Sequence, residues 1–280
     1  MIIWGIVGNS HDASIAVFKN DNLKWAGLAK DFSKIPNDPH LNKKLIRRAM
    51  RLGKPNKVIW YERPFLKTLR QYWAGQGWLG KENNIHCYLS EYGIVCPIEY
   101  TQHHLSHAAY AYYTQPHDDC AVVCLDSIGE FETLTVWHGK NNKLKKIHSQ
   151  GYPHSLGLFY SAMTQRMGLV PQRDEYLVAQ WAKKGDPKRL KKWMQEEIIH
   201  VDHTLDDPQE IKMIENLHRG CAWWRPELAS QQDMYDIAAA TQFLFEYAVS
   251  ILSIWAKVET GSKLRTRFRD FCAQKRGFLS

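Results

Sequence analysis

A pattern of three short strands followed by helices occurs twice in this chain, and that repeat constrains the fold more than any other feature. Residues 2–7 form an apolar run that predicts a first strand, turned by Gly8-Asn9-Ser10. From Asp12 to Phe18, Ala13, Ile15 and Val17 alternate against Ser14 and Ala16, the period of a half-buried strand. Lys19-Asn20-Asp21-Asn22 reads as a hairpin turn, and Leu23 to Leu28 as a third strand. Next come an expected helix at Leu41–Leu52 closed by Gly53, a strand at Val58–Tyr61 and a helix at Phe65–Trp73. Gly75 to Glu91 lacks a clear period and reads as loop. A strand at Cys96–Tyr100 and a helix at Thr101–Tyr113 complete the order β-β-β-α-β-α-β-α.

The pattern then restarts. Strands are expected at Asp119–Asp126, Glu132–Trp137 and Leu144–Ser149, with Gly139-Lys140-Asn141-Asn142 as the hairpin turn between the last two. Helices follow at 155–168, 174–183, 187–199, 207–218 and 234–258. The last is expected to show an apolar face of Ile237, Phe243, Phe245, Val249, Ile251 and Ile254. Two meanders, each followed by helices, predict an α/β chain with two lobes, the actin-like or sugar-kinase-like (ASKHA) arrangement. In it the first hairpin of each lobe points its turn at a nucleotide's phosphates, which places His11-Asp12 and Asp126-Ser127 in those turns. The expected division is a ribonuclease-H-like lobe at 1–116, an incomplete second lobe at 117–263 and a basic tail at 264–280. The second lobe is incomplete because no apolar strand follows residue 258.

Composition places the chain among globular proteins. Of its 280 residues 44% are hydrophobic and 24% charged, ordinary values for a folded domain. No uninterrupted apolar run reaches the roughly 18 residues a membrane span needs. Met1–Ile6 is too short for a signal peptide and lacks a basic leader. The six cysteines form no Cys-x-x-Cys pair, so reduced packing residues of a cytoplasmic protein are expected. The tail's five cations against Asp270 supply +4 of the net charge of +8. The remaining body is only modestly basic, and nucleic acid is not expected as a partner.

Chemistry concentrates in Gln102-His103-His104-Leu105-Ser106-His107-Ala108. On a helix His103 and His107 stand at i and i+4 on one face, where two imidazoles can bind one transition metal. His104 is left to orient the site. Asp126, in Leu125-Asp126-Ser127-Ile128-Gly129-Glu130, is the candidate third ligand. The competing reading is a surface helix with three histidines and a turn-capping aspartate.

The same segments resemble the N-terminal part of the NodU/TobZ-type O-carbamoyltransferases, relatives of the tRNA threonylcarbamoyl-transfer proteins. The likeness rests on Gly8-Asn9-Ser10-His11-Asp12-Ala13-Ser14, Phe32-Ser33-Lys34-Ile35, Tyr61-Glu62-Arg63-Pro64, His103-His104-Leu105-Ser106-His107-Ala108-Ala109, Leu125–Glu130, Ser155-Leu156-Gly157-Leu158-Phe159-Tyr160, Glu175-Tyr176-Leu177-Val178 and Asp236–Gln242, in family order. It implies transfer of a carbamoyl group, from carbamoyl phosphate by way of carbamoyl adenylate, to a hydroxyl acceptor. His103, His107 and Asp126 would hold a divalent metal, iron first, with zinc and manganese as alternatives. His11 and Asp12 would be catalytic, and His11, Asp126 and Ser127 would face ATP or the carbamoyl phosphate group. Departures accompany the matches. Ala29-Lys30-Asp31-Phe32-Ser33-Lys34 replaces the family's Glu-Glu-Arg-Phe-Ser-Arg, and its Gly-Gly-x-Ala-Leu-Asn segment does not follow Ser262-Lys263. The resemblance therefore implies an enzyme part that needs a second polypeptide or self-association. The alternative is an inactive relative acting as a scaffold.

Overall fold

In the computed structural model, residues 1–201 and 211–264 are described, with the side chains of 263 and 264 excepted. The chain divides into two compact units, Met1–Ser106 and His107–Ser280. The tail at 264–280 lies, but for the backbone of residue 264, outside the described residues.

Unit 1 comprises β1 (Ile2–Val7), β2 (Ser14–Lys19), β3 (Asn22–Leu28), α1 (Ala29–Ser33), α2 (Lys43–Met50), β4 (Lys57–Trp60), α3 (Pro64–Trp73), α4 (Ile85–Ser90), β5 (Ile98–Tyr100) and the first turn of α5 (His103–Tyr113). Its sheet runs β3-β2-β1-β4-β5, antiparallel through the meander and parallel from β1 to β4 to β5. The hairpin turn falls on Asn20 and Asp21, both at positive φ, as that turn chemistry requires. Trp4, Ile6, Ile15, Val17, Val58 and Trp60 line a core closed by Leu45, Ile46 and Ala49 of α2 and by Leu89 of α4. Pro64 opens α3 at its first turn, where a missing N–H costs nothing. The expected loop at 75–91 is corrected. Asn84 accepts a hydrogen bond from the Cys87 amide and starts a helix there, a capping signal that the surrounding glycines obscure.

Unit 2 repeats the plan with β6 (Asp119–Gly129), β7 (Glu132–Lys140), β8 (Lys143–Gly151), α6 (Leu156–Arg166), α7 (Glu175–Ala182), α8 (Pro187–Glu197), β9 (Ile199–Val201), β10 (Ile211–Met213), a 3-10 turn at Leu217–Arg219, α9 (Gln231–Thr260) and β11 (Lys263–Leu264). Its main sheet is ordered β11-β6-β7-β8, with β11 parallel to β6. Counted from each meander, both sheets therefore run third-second-first-fourth, the duplicated order of the actin-like fold expected from the sequence.

Two expected elements are corrected in unit 2. The expected absence of any strand after residue 258 gives way to β11, a two-residue parallel addition. The helix expected at 207–218 is instead β10 at 211–213, paired antiparallel with β9, and then the 3-10 turn; residues 202–210 lie outside the described residues. Ile211 and Met213 alternate with Lys212, a strand period that the following charged residues mask.

The buried face of α9 is Ile237, Thr241, Leu244, Ala248, Leu252 and Trp255, while Phe243 and Ile254 face outward. Small residues such as Ala238, Ala240 and Ala248 let this helix lie close against Phe159, Met163 and Met194. A full capping box begins it. The Asp233 amide donates to Ser230 Oγ at 3.1 Å, and the Ser230 amide donates to Asp233 Oδ2 at 2.9 Å. Among the described residues α9 alone is long and apolar enough to cross a membrane by length and composition. More than half of its most apolar window is buried in unit 2, as in the core helix of a folded domain. No contiguous apolar run signals it, because Thr241, Gln242, Glu246 and Ser250 interrupt the stretch.

Candidate metal centre

The start of the histidine helix is tied to the end of β4. Ser106 Oγ donates to the Tyr61 carbonyl at 2.8 Å, and the Thr101 amide donates to the Trp60 carbonyl at 3.0 Å. His104, Ala108 and Tyr112 form the buried stripe of α5, at i, i+4 and i+8. That stripe turns His103 and His107 onto the adjoining face, half-buried. His104 is fully buried, a packing residue in the helix's inward face.

Asp126 is presented by an irregularity in β6. Pairing with β7 holds through Leu125↔Leu134 and resumes only at Gly129↔Glu132. Three residues, Asp126, Ser127 and Ile128, thus stand opposite one, a bulge that takes their side chains out of the regular alternation. The expectation that Asp126-Ser127 forms the hairpin turn is corrected: the turn lies further on, at Glu130 and Phe131, and Glu130 is buried at φ 60°. The bulge is braced from α6. Ser155, the N-cap of α6, donates to the Asp126 and Ser127 carbonyls at 3.1 and 2.8 Å and accepts from the Leu158 amide at 3.1 Å. Gly157 permits this approach, since a Cβ there would sit 2.8 Å from Ser127 Cα. Asp126 Oδ1 accepts from the Ser127 amide at 2.6 Å.

His103, His107 and Asp126 each offer a ligand atom within 4.8 Å of the others. Bonds of about 2.1 Å at tetrahedral angles hold ligand atoms about 3.4 Å apart, so binding one cation would draw the three groups closer together. Two imidazoles and a carboxylate suit zinc, iron or manganese and leave coordination positions for oxygen ligands.

Behind His103 stands a carboxylate that sequence reasoning quoted but gave no role. Glu62 directly follows β4 and is 4% exposed. Its Oε1 accepts from Tyr61 Oη and from Lys67 Nζ, both at 2.7 Å. Its Oε2 faces His103 Nδ1 at 3.6 Å, within ion-pair reach. Burial pushes the Glu62 carboxyl upward, but contact with His103, the charge and hydrogen bond of Lys67 and the Tyr61 hydroxyl outweigh it, and the group sits below the usual glutamate range. An acid at the end of a buried parallel strand was the available signal, the same one that singled out Asp126.

His11 and Asp12 lie in the turn between β1 and β2, as expected. The His11 side chain is 58% exposed, with Nδ1 3.4 Å from Asp12 Oδ2. Asp12, at φ 55°, binds Lys30 Nζ through Oδ1 at 2.7 Å. Lys67 Nζ also donates to the Asn9 carbonyl at 3.2 Å, which joins this turn to Glu62.

These features sit in a recognisable sequence frame. Residues 75–251 match the family model described as carbamoyltransferase N-terminus, which includes all three candidate ligands, and the chain belongs to that family. It is 28% identical over 239 residues to the uncharacterised protein sll1178 of Synechocystis sp., covering 75% of this chain and 37% of that protein. It is 22% identical over 222 residues to the uncharacterised protein MJ1051 of Methanocaldococcus jannaschii, covering 77% and 37%. The chain thus spans just over a third of the length of these relatives. Among solved structures, it is similar to (R)-2-hydroxyglutaryl-CoA dehydratase component A of Acidaminococcus fermentans, with a TM-score of 0.40 and 11% identity over 95% of this chain and 92% of that one. For YeaZ of Pseudomonas aeruginosa the TM-score is 0.34, with 8% identity over 55% and 67%.

Proposed function

We propose that this chain is the metal- and nucleotide-binding part of an O-carbamoyltransferase. It would pass a carbamoyl group, from carbamoyl phosphate by way of carbamoyl adenylate, to a hydroxyl acceptor. The single observation that carries the reading is the grouping of His103, His107 and Asp126 within a family-matched segment. A divalent cation bound there would supply Lewis-acid polarisation of a phosphate or carbonyl oxygen.

The chain's own residues divide the remaining work. Asp12, fixed by Lys30, faces His11 Nδ1 and so favours the tautomer with the proton on that nitrogen. His11 Nε2 is then the atom available to take the acceptor hydroxyl's proton. The bulge at Asp126-Ser127, braced by Ser155, supplies a fixed backbone edge for ATP or adenylate. Formation of the adenylate is assigned to further polypeptide, since the relatives are nearly three times as long as the matched portion.

Elemental analysis after loading with iron, zinc or manganese tests the centre. Bound metal should approach one equivalent in the wild type and be lost in His103→Ala, His107→Ala and Asp126→Asn. Equal metal content in all four proteins would reject the ligand assignment.

A further inference from the structure

We propose that Glu62 is the positioning residue of the metal centre, which fixes the ring orientation and tautomer of His103 and is itself fixed by Lys67. The inference deepens the functional reading above, because it rests on His103 as a ligand. Three observations support it. Glu62 is buried in unit 1, where an ionised carboxylate is costly unless compensated. Its two oxygens are divided: Oε1 takes both Lys67 and Tyr61, so Oε2 is left toward His103 Nδ1. The His103 ring is further bounded by Tyr61, whose ring packs edge-on at 5.5 Å between centroids.

The chemical consequence follows from the imidazole itself. A neutral ring carries one proton, and a carboxylate beside Nδ1 draws that proton to Nδ1. The lone pair is then on Nε2, the nitrogen left for the cation. A ligand imidazole with a carboxylate at its second nitrogen is also more basic and less free to rotate. Lys67 extends the device. Through Asn9 it ties the turn carrying His11 to the carboxylate that orients His103, so the two groups keep a fixed register within unit 1.

The experiment has two arms. In metal-free protein labelled with 15N-histidine, long-range 15N–1H spectra report the tautomer of each ring, and the signal lost in His103→Gln identifies His103. Wild type should show the Nδ1-protonated form as the dominant tautomer, and Glu62→Gln should shift the population toward the other. A wild-type His103 protonated mainly on Nε2 overturns the proposal, whether or not any metal binds. In the second arm Zn2+ or Mn2+ is titrated into wild type, Glu62→Gln and Glu62→Asp, with far-UV circular dichroism and thermal midpoints as folding controls. Glu62→Gln should raise the metal Kd by about 10- to 100-fold, and Glu62→Asp should recover part of that loss. A folded Glu62→Gln protein with wild-type metal Kd overturns the positioning role. Wild-type protein that takes up neither metal yet shows the Nδ1 tautomer would refute the functional reading and leave the Glu62–His103 pairing standing.

Discussion

His104 and His107 show how one helical position changes the meaning of a residue. Both belong to one short motif, but His104 falls on the inward stripe of α5 and His107 beside it. His104→Ala should leave a core cavity and cost about 2 kcal/mol or more of stability, read as a lowered denaturation midpoint. His107→Ala should leave the midpoint nearly unchanged in metal-free protein. The Lys67–Glu62 pair is a second case. Lys67→Met strands a buried carboxylate, and breaking such a pair costs about 3–5 kcal/mol, so a clear fall in stability is expected by urea unfolding. Replacing both partners together should cost less than Lys67→Met alone, because no charge is left uncompensated.

At the scale of elements, caps and bulges do most of the placing. Ser155 starts α6 and clamps the Asp126 bulge at once, so Ser155→Ala should lower stability by about 1 kcal/mol and weaken metal binding as well. Ser155→Thr should retain much of both. The box that starts α9 makes stability depend on pH. Hydrogen bonds from Ser230 and the Arg189 guanidinium hold the Asp233 carboxyl at about 2, below the usual aspartate value. A carboxyl depressed in the folded state contributes stability that is complete above its unfolded value near 4. That contribution is lost as pH falls toward about 2. Wild type should therefore lose more stability than Asp233→Asn between pH 4 and pH 2, as measured by thermal midpoints across that range.

For the whole molecule, the two units carry separate hydrophobic cores, one built around Trp4, Val58 and Trp60 and the other around Phe159, Met163 and Leu244. Chains with distinct cores commonly depart from two-state unfolding. Leu45→Ala, in the first core, should move only one of two urea transitions, by about 2–5 kcal/mol. A single transition shifted as a whole would show that the units unfold together. Phe243, Ile254 and Val258 on α9 are exposed, and we propose that they form the surface for the expected self-association. Light scattering should show a species larger than the monomer, and Ile254→Lys with Val258→Lys should reduce it.

Local chemistry alone was enough to read both meanders, the turns at Asn20-Asp21 and Asn141-Asn142, the histidine helix and the duplicated α/β plan. Alternation, turn residues and helical period are properties of neighbouring residues, and they persist into the structure. The sequence also named His103, His107 and Asp126 as candidate ligands, though not why Asp126 should be available. That depends on a three-against-one mismatch between β6 and β7, a register no single strand encodes. The part played by Glu62 was likewise out of reach, because its partners Lys67 and His103 become neighbours only once β4, α3 and α5 have packed. So was the inward face of α9, where Leu244, Leu252 and Trp255 meet the core among alanines while Phe243 and Ile254 face outward, since close approach of backbones is settled by the surface opposite.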